Sequence, residues 1–224
     1  TAALMLGVLA AISSKNLLST LAFTAGALFK TWPLIWLPLT LTKRPPWHIG
    51  LVATLILAGY LPFADARLGL LQPWLDYTSR WLFNDAGFFL LRSATGSEPL
   101  SKAIAAGVGF VTVYTFWRRG TDPVRASYWL LLLAIFLLPA IHPWYLLWPL
   151  PLAAAALDIS WIMLTVLAPL SYWILVDASS ASSTWVEPSW VRFMIWVPAL
   201  MMWAWQAKNN VIAAPPATPT QPST

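Results

Sequence analysis

Three polar side chains stand in stretches apolar enough to enter a membrane, and each suits an anion. Lys30 lies in TAGALFKTWPLIWLPL, residues 24–39. Arg80 lies in YTSRWLFN, residues 77–84, with Asn84 four residues on. His142 sits at the centre of LLPAIHPWYLLWPLPLAA, residues 137–154, just ahead of Pro143, Trp144 and Tyr145. A lysine is a point charge for a phosphate, an arginine fits it with a bidentate fork, and a histidine donates from a ring nitrogen. Each also has a plainer role. Lys30 can snorkel to the interface. Arg80 can form an i,i+4 pair with Asp76, worth roughly 0.2–0.5 kcal/mol. His142 can fill the hydrogen-bonding gap that Pro143 opens. Trp144, Tyr145 and Trp148 can stack on a sugar face or a lipid chain, or anchor the chain at a membrane interface.

Other chemistries are excluded. The sequence has no cysteine, so it offers no disulfide, thiolate metal site or thiol nucleophile. A single histidine without nearby carboxylates is no metal centre, and His48, beside Trp47, reads as interfacial. No phosphate-binding glycine loop, HExxH or serine elbow occurs. Neither a metal nor a cofactor is expected. The net charge of +5 comes without a basic run interleaved with aromatics, so no nucleic-acid partner is expected.

The elements that must position these residues are membrane helices. The 224 residues are 59% hydrophobic and 9% charged, with sixteen Trp, against about 25% charged in a soluble domain. Apolar runs cover residues 2–12, 17–41, 47–64, 102–117, 128–157, 159–176 and 190–205. The fold class is therefore all-α, a polytopic integral membrane bundle over residues 1–208. The two longest runs are interrupted, one by Lys30 and Pro33, the other by His142 and Pro143. Each is either one kinked helix or two half-helices. Positive charge in residues 43–46 and 118–125 and at Lys208 places those loops in the cytoplasm. Residues 65–100 and 177–188 then lie outside. Within residues 70–91, Leu71, Trp74, Leu75, Thr78, Trp81 and Leu82 alternate with Gln72, Asp76, Arg80 and Asn84 at helical spacing. This predicts an external amphipathic interfacial helix presenting Arg80 and Asn84 to lipid headgroups. The Pro- and Thr-rich residues 209–224 read as a disordered tail. Thr1 opens the chain inside an apolar run with no charged n-region or cleavage site. This reads as a chain that begins partway through a gene.

Three stretches together resemble a known family. FKTWPLIWLPL (residues 29–39), YTSRWLFNDAGFFLLRS (residues 77–93) and HPWYLLWPLPL (residues 142–152) are similar, in order and spacing, to motifs of polyprenol-phosphate-sugar-dependent glycosyltransferases of the GT-C fold. Within these, the bacterial polyprenol-phosphate-mannose-dependent mannosyltransferases match best. The resemblance implies a plasma-membrane hexosyltransferase working at the outer face. Its partners would be membrane lipid, a polyprenyl-phosphate sugar donor and a glycan or glycolipid acceptor. It makes Lys30, Arg80, Asn84 and His142 candidates for the donor phosphate or headgroup. Tyr77, Trp81, Trp144 and Tyr145 become candidates for sugar or lipid contact. The family's acid/base carboxylate sits in a first external loop that has no counterpart before residue 17. The catalytic residue is therefore expected outside this chain, and Asp76 and Asp85 are not put in its place. A transporter or flippase of a lipid-linked or anionic substrate also uses broken helices with polar residues at the break. A non-catalytic assembly subunit is a third reading. An inverted repeat would favour the transporter, and an upstream acidic external loop the enzyme.

Overall fold

The structure is a computed structural model. It describes residues 2–30, 32–41, 44–73, 75–76, 81–177 and 187–209. Their regular elements are all helices, and their one β-bridge pairs Phe83 with Ala140 in parallel.

The chain divides into two compact units. Among the described residues, the first holds those up to 76 and residues 111–127; the second holds residues 81–110 and those from 128 to 209. In the first unit, α1 (Ala2–Ile12) and α2 (Asn16–Phe29) pack against each other, and α2 also meets a 3-10 turn (Trp32–Trp36) and α4 (Trp47–Tyr60). α2 ends at Lys30, whose backbone is extended, and Pro33 lies three residues on. A short α3 (Leu37–Leu41) follows the 3-10 turn. The first interrupted run is thus two pieces meeting at Lys30, because prolines at 33 and 38 cannot donate the hydrogen bonds of a continuous helix.

His48 departs from the interfacial reading. It is buried, and its Nδ1 lies 2.8 Å from Thr20 Oγ1. Arg44 donates to Asn16 O at 2.8 Å, to Ser19 Oγ at 3.0 Å and to the Thr20 hydroxyl. A histidine beside a helix whose Ser19 and Thr20 hydroxyls face inward finds a buried partner there.

In the second unit, α5 (Gly87–Thr95) closes on Gly96, whose φ of 63° gives the left-handed cap that glycine adopts without strain. α9 (Ile159–Leu167) packs on α11 (Ser189–Lys208). Asp158 caps α9, accepting from the Ser160 and Trp161 backbone N–H groups at 3.1 and 3.4 Å. The Tyr128 and Ser160 hydroxyls donate to the same carboxylate. Two helices carry the chain between the units, α6 (Glu98–Arg118) and α7 (Pro123–Leu137). The second interrupted run also breaks. α7 ends at Leu137, residues 138–142 are not helical, a 3-10 turn covers Pro143–Leu147, and α8 covers Leu150–Ala155.

The amphipathic helix expected over residues 70–91 does not form as one element. A 3-10 segment (Leu61–Leu71) runs into helical residues at 72–73 and 75–76; residues 81–86 are not helical, and α5 begins only at Gly87. The Gln72–Asp76 step of the polar stripe is real, with Gln72 Nε2 donating to Asp76 Oδ1 at 3.1 Å. Asn84 does not continue it, because its φ is 51°, outside any right-handed helix.

Two stretches are long and apolar enough to cross a membrane, Trp47–Ala66 and Glu98–Arg118. Only 6% of each apolar window is buried within the molecule. Leu57, Leu61, Phe110 and Val111 stand out from them. Core helices of soluble proteins bury such faces, so this exposure fits helices that meet an apolar phase outside the described residues.

Candidate functional site

The break before Pro143 is where the second unit gathers its sequence-predicted residues. Phe83 N–H donates to Pro139 O at 3.0 Å, and Ile141 N–H donates to Phe83 O at 2.8 Å. This ties residues 81–86 to the stretch carrying His142. Pro139 and Pro143 keep residues 138–142 out of a helix, and residues 81–86 are not helical either, so backbone groups of the two segments satisfy one another. His142 is extended (φ −79°, ψ 147°), as a residue before proline must be.

Aromatic rings surround the half-buried His142. Its imidazole stacks on Trp144 at 4.4 Å with an interplanar angle of 4°. Phe83 lies 5.4 Å away, Tyr145 5.5 Å in a T-shape, and Trp81 6.0 Å. Tyr145 is buried and stacks on Trp148 at 4.5 Å. Trp81 and Trp144 are exposed. The result is an aromatic cluster, the His142 platform, in which Trp144 carries the imidazole on one face, with Tyr172 6.5 Å away, and Trp81 and Trp144 reach the surface. Exposed indoles can pack on the apolar face of a sugar, and an imidazole can donate to an oxyanion.

Asn84 is wholly buried beneath this platform. Its Nδ2 lies 3.4 Å from Ile141 O, and its carbonyl and Oδ1 each accept from Trp196 Nε1 at 3.0 Å. Its side chain therefore works on the scaffold rather than facing a headgroup. Lys30 is exposed and belongs to the first unit, while Trp81, Asn84, His142, Trp144 and Tyr145 belong to the second. Tyr77 and Arg80 lie outside the described residues.

A buried charge cluster, not predicted from the sequence, adjoins Asn84. Glu187 Oε2 accepts the Asn84 backbone N–H at 2.8 Å. Arg192 Nη2 lies 2.8 Å from Asp85 Oδ1 and 3.5 Å from Glu187 Oε2, and its guanidinium sits 4.6 Å over the Phe89 ring. The Arg192–Asp85 pair is close but poorly aligned as a hydrogen bond, so its attraction is chiefly that of opposite charges. Burial raises the Asp85 pKa against the opposing pull of Arg192 and Arg92. Burial, reinforced by the Asp85 charge, pushes Glu187 up to about 6 despite the Asn84 N–H and Arg192. One signal was present in the sequence. Arg192 stands in the first turn of an apolar helix, where both desolvation and the helix dipole oppose a cation, so it demands a nearby acid.

An open apolar cavity of about 340 Å³ lies between α7, α9 and α11, also within the second unit. Leu133, Phe136, Leu164, Trp196 and Trp203 line it, with Asp158 and Ser160 at its polar margin. Trp196 is the residue that donates to Asn84, so the cavity reaches the scaffold of the platform.

The family model of the MptB C-terminal domain matches residues 95–207. No curated protein and no solved structure matches the chain.

Proposed function

Since the chain belongs to the MptB C-terminal domain family, a family of mannosyltransferase type, we propose that it is part of a membrane hexosyltransferase using a polyprenyl-phosphate sugar. The sugar, most simply mannose, passes to a hydroxyl of a glycan or glycolipid at the outer face of the plasma membrane. The observation that carries this reading is the platform of His142 stacked on Trp144 with Trp81 beside it. His142 donates to the donor phosphate, and the exposed edges of Trp81 and Trp144 pack against the sugar. The phosphate is the leaving group, so its negative charge grows as the glycosidic bond breaks. A donor placed there stabilises the transition state more than the ground state. Arg80 adds positive charge, and the apolar cavity against Trp196 accepts part of the prenyl chain.

The broken helices also suit a transporter of a lipid-linked substrate. One experiment separates the two. Membranes containing the protein expressed from its full gene are given radiolabelled polyprenyl-phosphate mannose and a lipid-extractable or glycan acceptor. Labelled acceptor is expected. No transfer from mannose or glucose donors, combined with donor movement across proteoliposomes, would move the assignment to transport.

A further inference from the structure

We propose that Glu187 is a positioning residue for this platform, fixing the Asn84 turn that holds Phe83 against residues 139–141 and so sets the place of His142. The inference rests on the donor-binding reading for its purpose, but on bond geometry for its substance.

The path is short. Glu187 Oε2 accepts the Asn84 N–H at 2.8 Å. Asn84 adopts a left-handed backbone, uncommon for non-glycine residues although asparagine enters it more readily than most, and the Glu187 bond fixes its N–H there. Its Nδ2 reaches Ile141 O, and its neighbour Phe83 is bonded to Pro139 and Ile141 on either side of the bridge. His142 is the next residue, and its ring meets that of Phe83 at 5.4 Å.

Charge alone does not explain Glu187. Arg192 already has an acid at 2.8 Å in Asp85, and Glu187 stands farther from it, at 3.5 Å. Asp85 already lies in the field of both Arg192 and Arg92, and its charge opposes a second carboxylate beside it. Of the contacts Glu187 makes, the short one is to the Asn84 backbone.

The test uses the protein expressed from its full gene in membranes and compares Glu187→Ala, Glu187→Gln and Glu187→Asp. Alanine removes the acceptor. Glutamine keeps an oxygen for the Asn84 N–H while losing the charge. Aspartate keeps the charge but is one methylene too short, and it carries the test if the alanine variant does not fold. The first readout is a disulfide between cysteines placed at 83 and 140, in a chain that has none of its own. Bridged neighbours lie within disulfide reach. The second readout, taken without the cysteines, is donor KM against kcat.

Glu187→Ala and Glu187→Asp should lower the cross-link yield and raise the donor KM about tenfold with kcat changed less than about threefold. Glu187→Gln should restore most of both. Cross-linking and KM unchanged in the alanine variant would overturn the proposal. Glutamine as damaging as alanine would also overturn it, because charge and not the N–H bond would then be the cause. Loss of the cross-link in alanine and its return in glutamine would uphold the positioning role even if the native protein transferred no sugar. In that case only the donor reading would fail.

Discussion

Glu187 titrates against its own burial, and the sign of its effect on stability follows. Its unfolded value is 4.5 and its folded value about 6. Below 4.5 it is protonated in both states. Between 4.5 and about 6 the folded state keeps a proton that the unfolded state has lost. Stability therefore falls as pH rises through that window and levels off above it, by about 2 kcal/mol in all. Asp85, also raised by burial, acts in the same direction. Thermal unfolding in detergent should give a higher Tm near pH 5 than near pH 7, and Glu187→Gln should flatten that slope. An equal slope in the variant would assign it to other groups. His142 is expected to matter for activity instead. A hydrogen bond to a charged group is worth about 1.5–3 kcal/mol, so His142→Ala should lower kcat/KM for the donor roughly 10- to 100-fold. His142 and Trp144 were legible because a polar residue at a proline break in an apolar run stands out. Glu187 was not, since its bond to Asn84 spans 103 residues and nothing local marks it.

At the level of elements, proline placement made the two interrupted runs readable, and both break where Lys30 and His142 stand. Periodicity misled over residues 70–91. The apolar spacing continues through residues 81–86, but there the chain spends its backbone hydrogen bonds on Pro139, Ile141 and Glu187 rather than on itself. Such tertiary partners override a helical pattern and leave no trace in it. The junction at the start of α5 is tight. A Cβ on Gly87 would lie 2.4 Å from the Phe136 ring and 2.7 Å from the Phe136 backbone oxygen. Backbone cannot step aside, so Gly87→Ala should cost roughly 1–3 kcal/mol. Gly107, inside the exposed apolar helix α6, has nothing within 4 Å, so Gly107→Ala is the control without a steric cost and should be neutral to stabilising by up to about 1 kcal/mol in the same unfolding measurement. Asp158→Ala should cost at least about 1 kcal/mol from the lost cap on α9, and more because the Tyr128 hydroxyl loses its partner.

For the whole molecule, composition pointed to the membrane, and among the described residues two helices are long and apolar enough to cross one, with most of their surface exposed. The positive-inside rule predicts a cytoplasmic α6–α7 connection, which Arg118, Arg119 and Arg125 flank, with Glu98 at the other end of α6. A chain without cysteines makes this testable. Ser97→Cys should react with a membrane-impermeant maleimide in intact cells, and Thr121→Cys only after permeabilisation. The reverse pattern would invert the molecule and place the His142 platform on the wrong side for an outer-face donor.

The central claim is that the platform around His142 receives the donor headgroup, and photoaffinity labelling tests it directly. A polyprenyl-phosphate mannose analogue carrying a photoreactive group beside the phosphate is activated on membranes holding the full protein, and the labelled peptides are identified by mass spectrometry. The account predicts label on residues 138–153, competed by unlabelled donor and lost in His142→Ala. Competed label confined to other segments, with these residues unmarked, would contradict it.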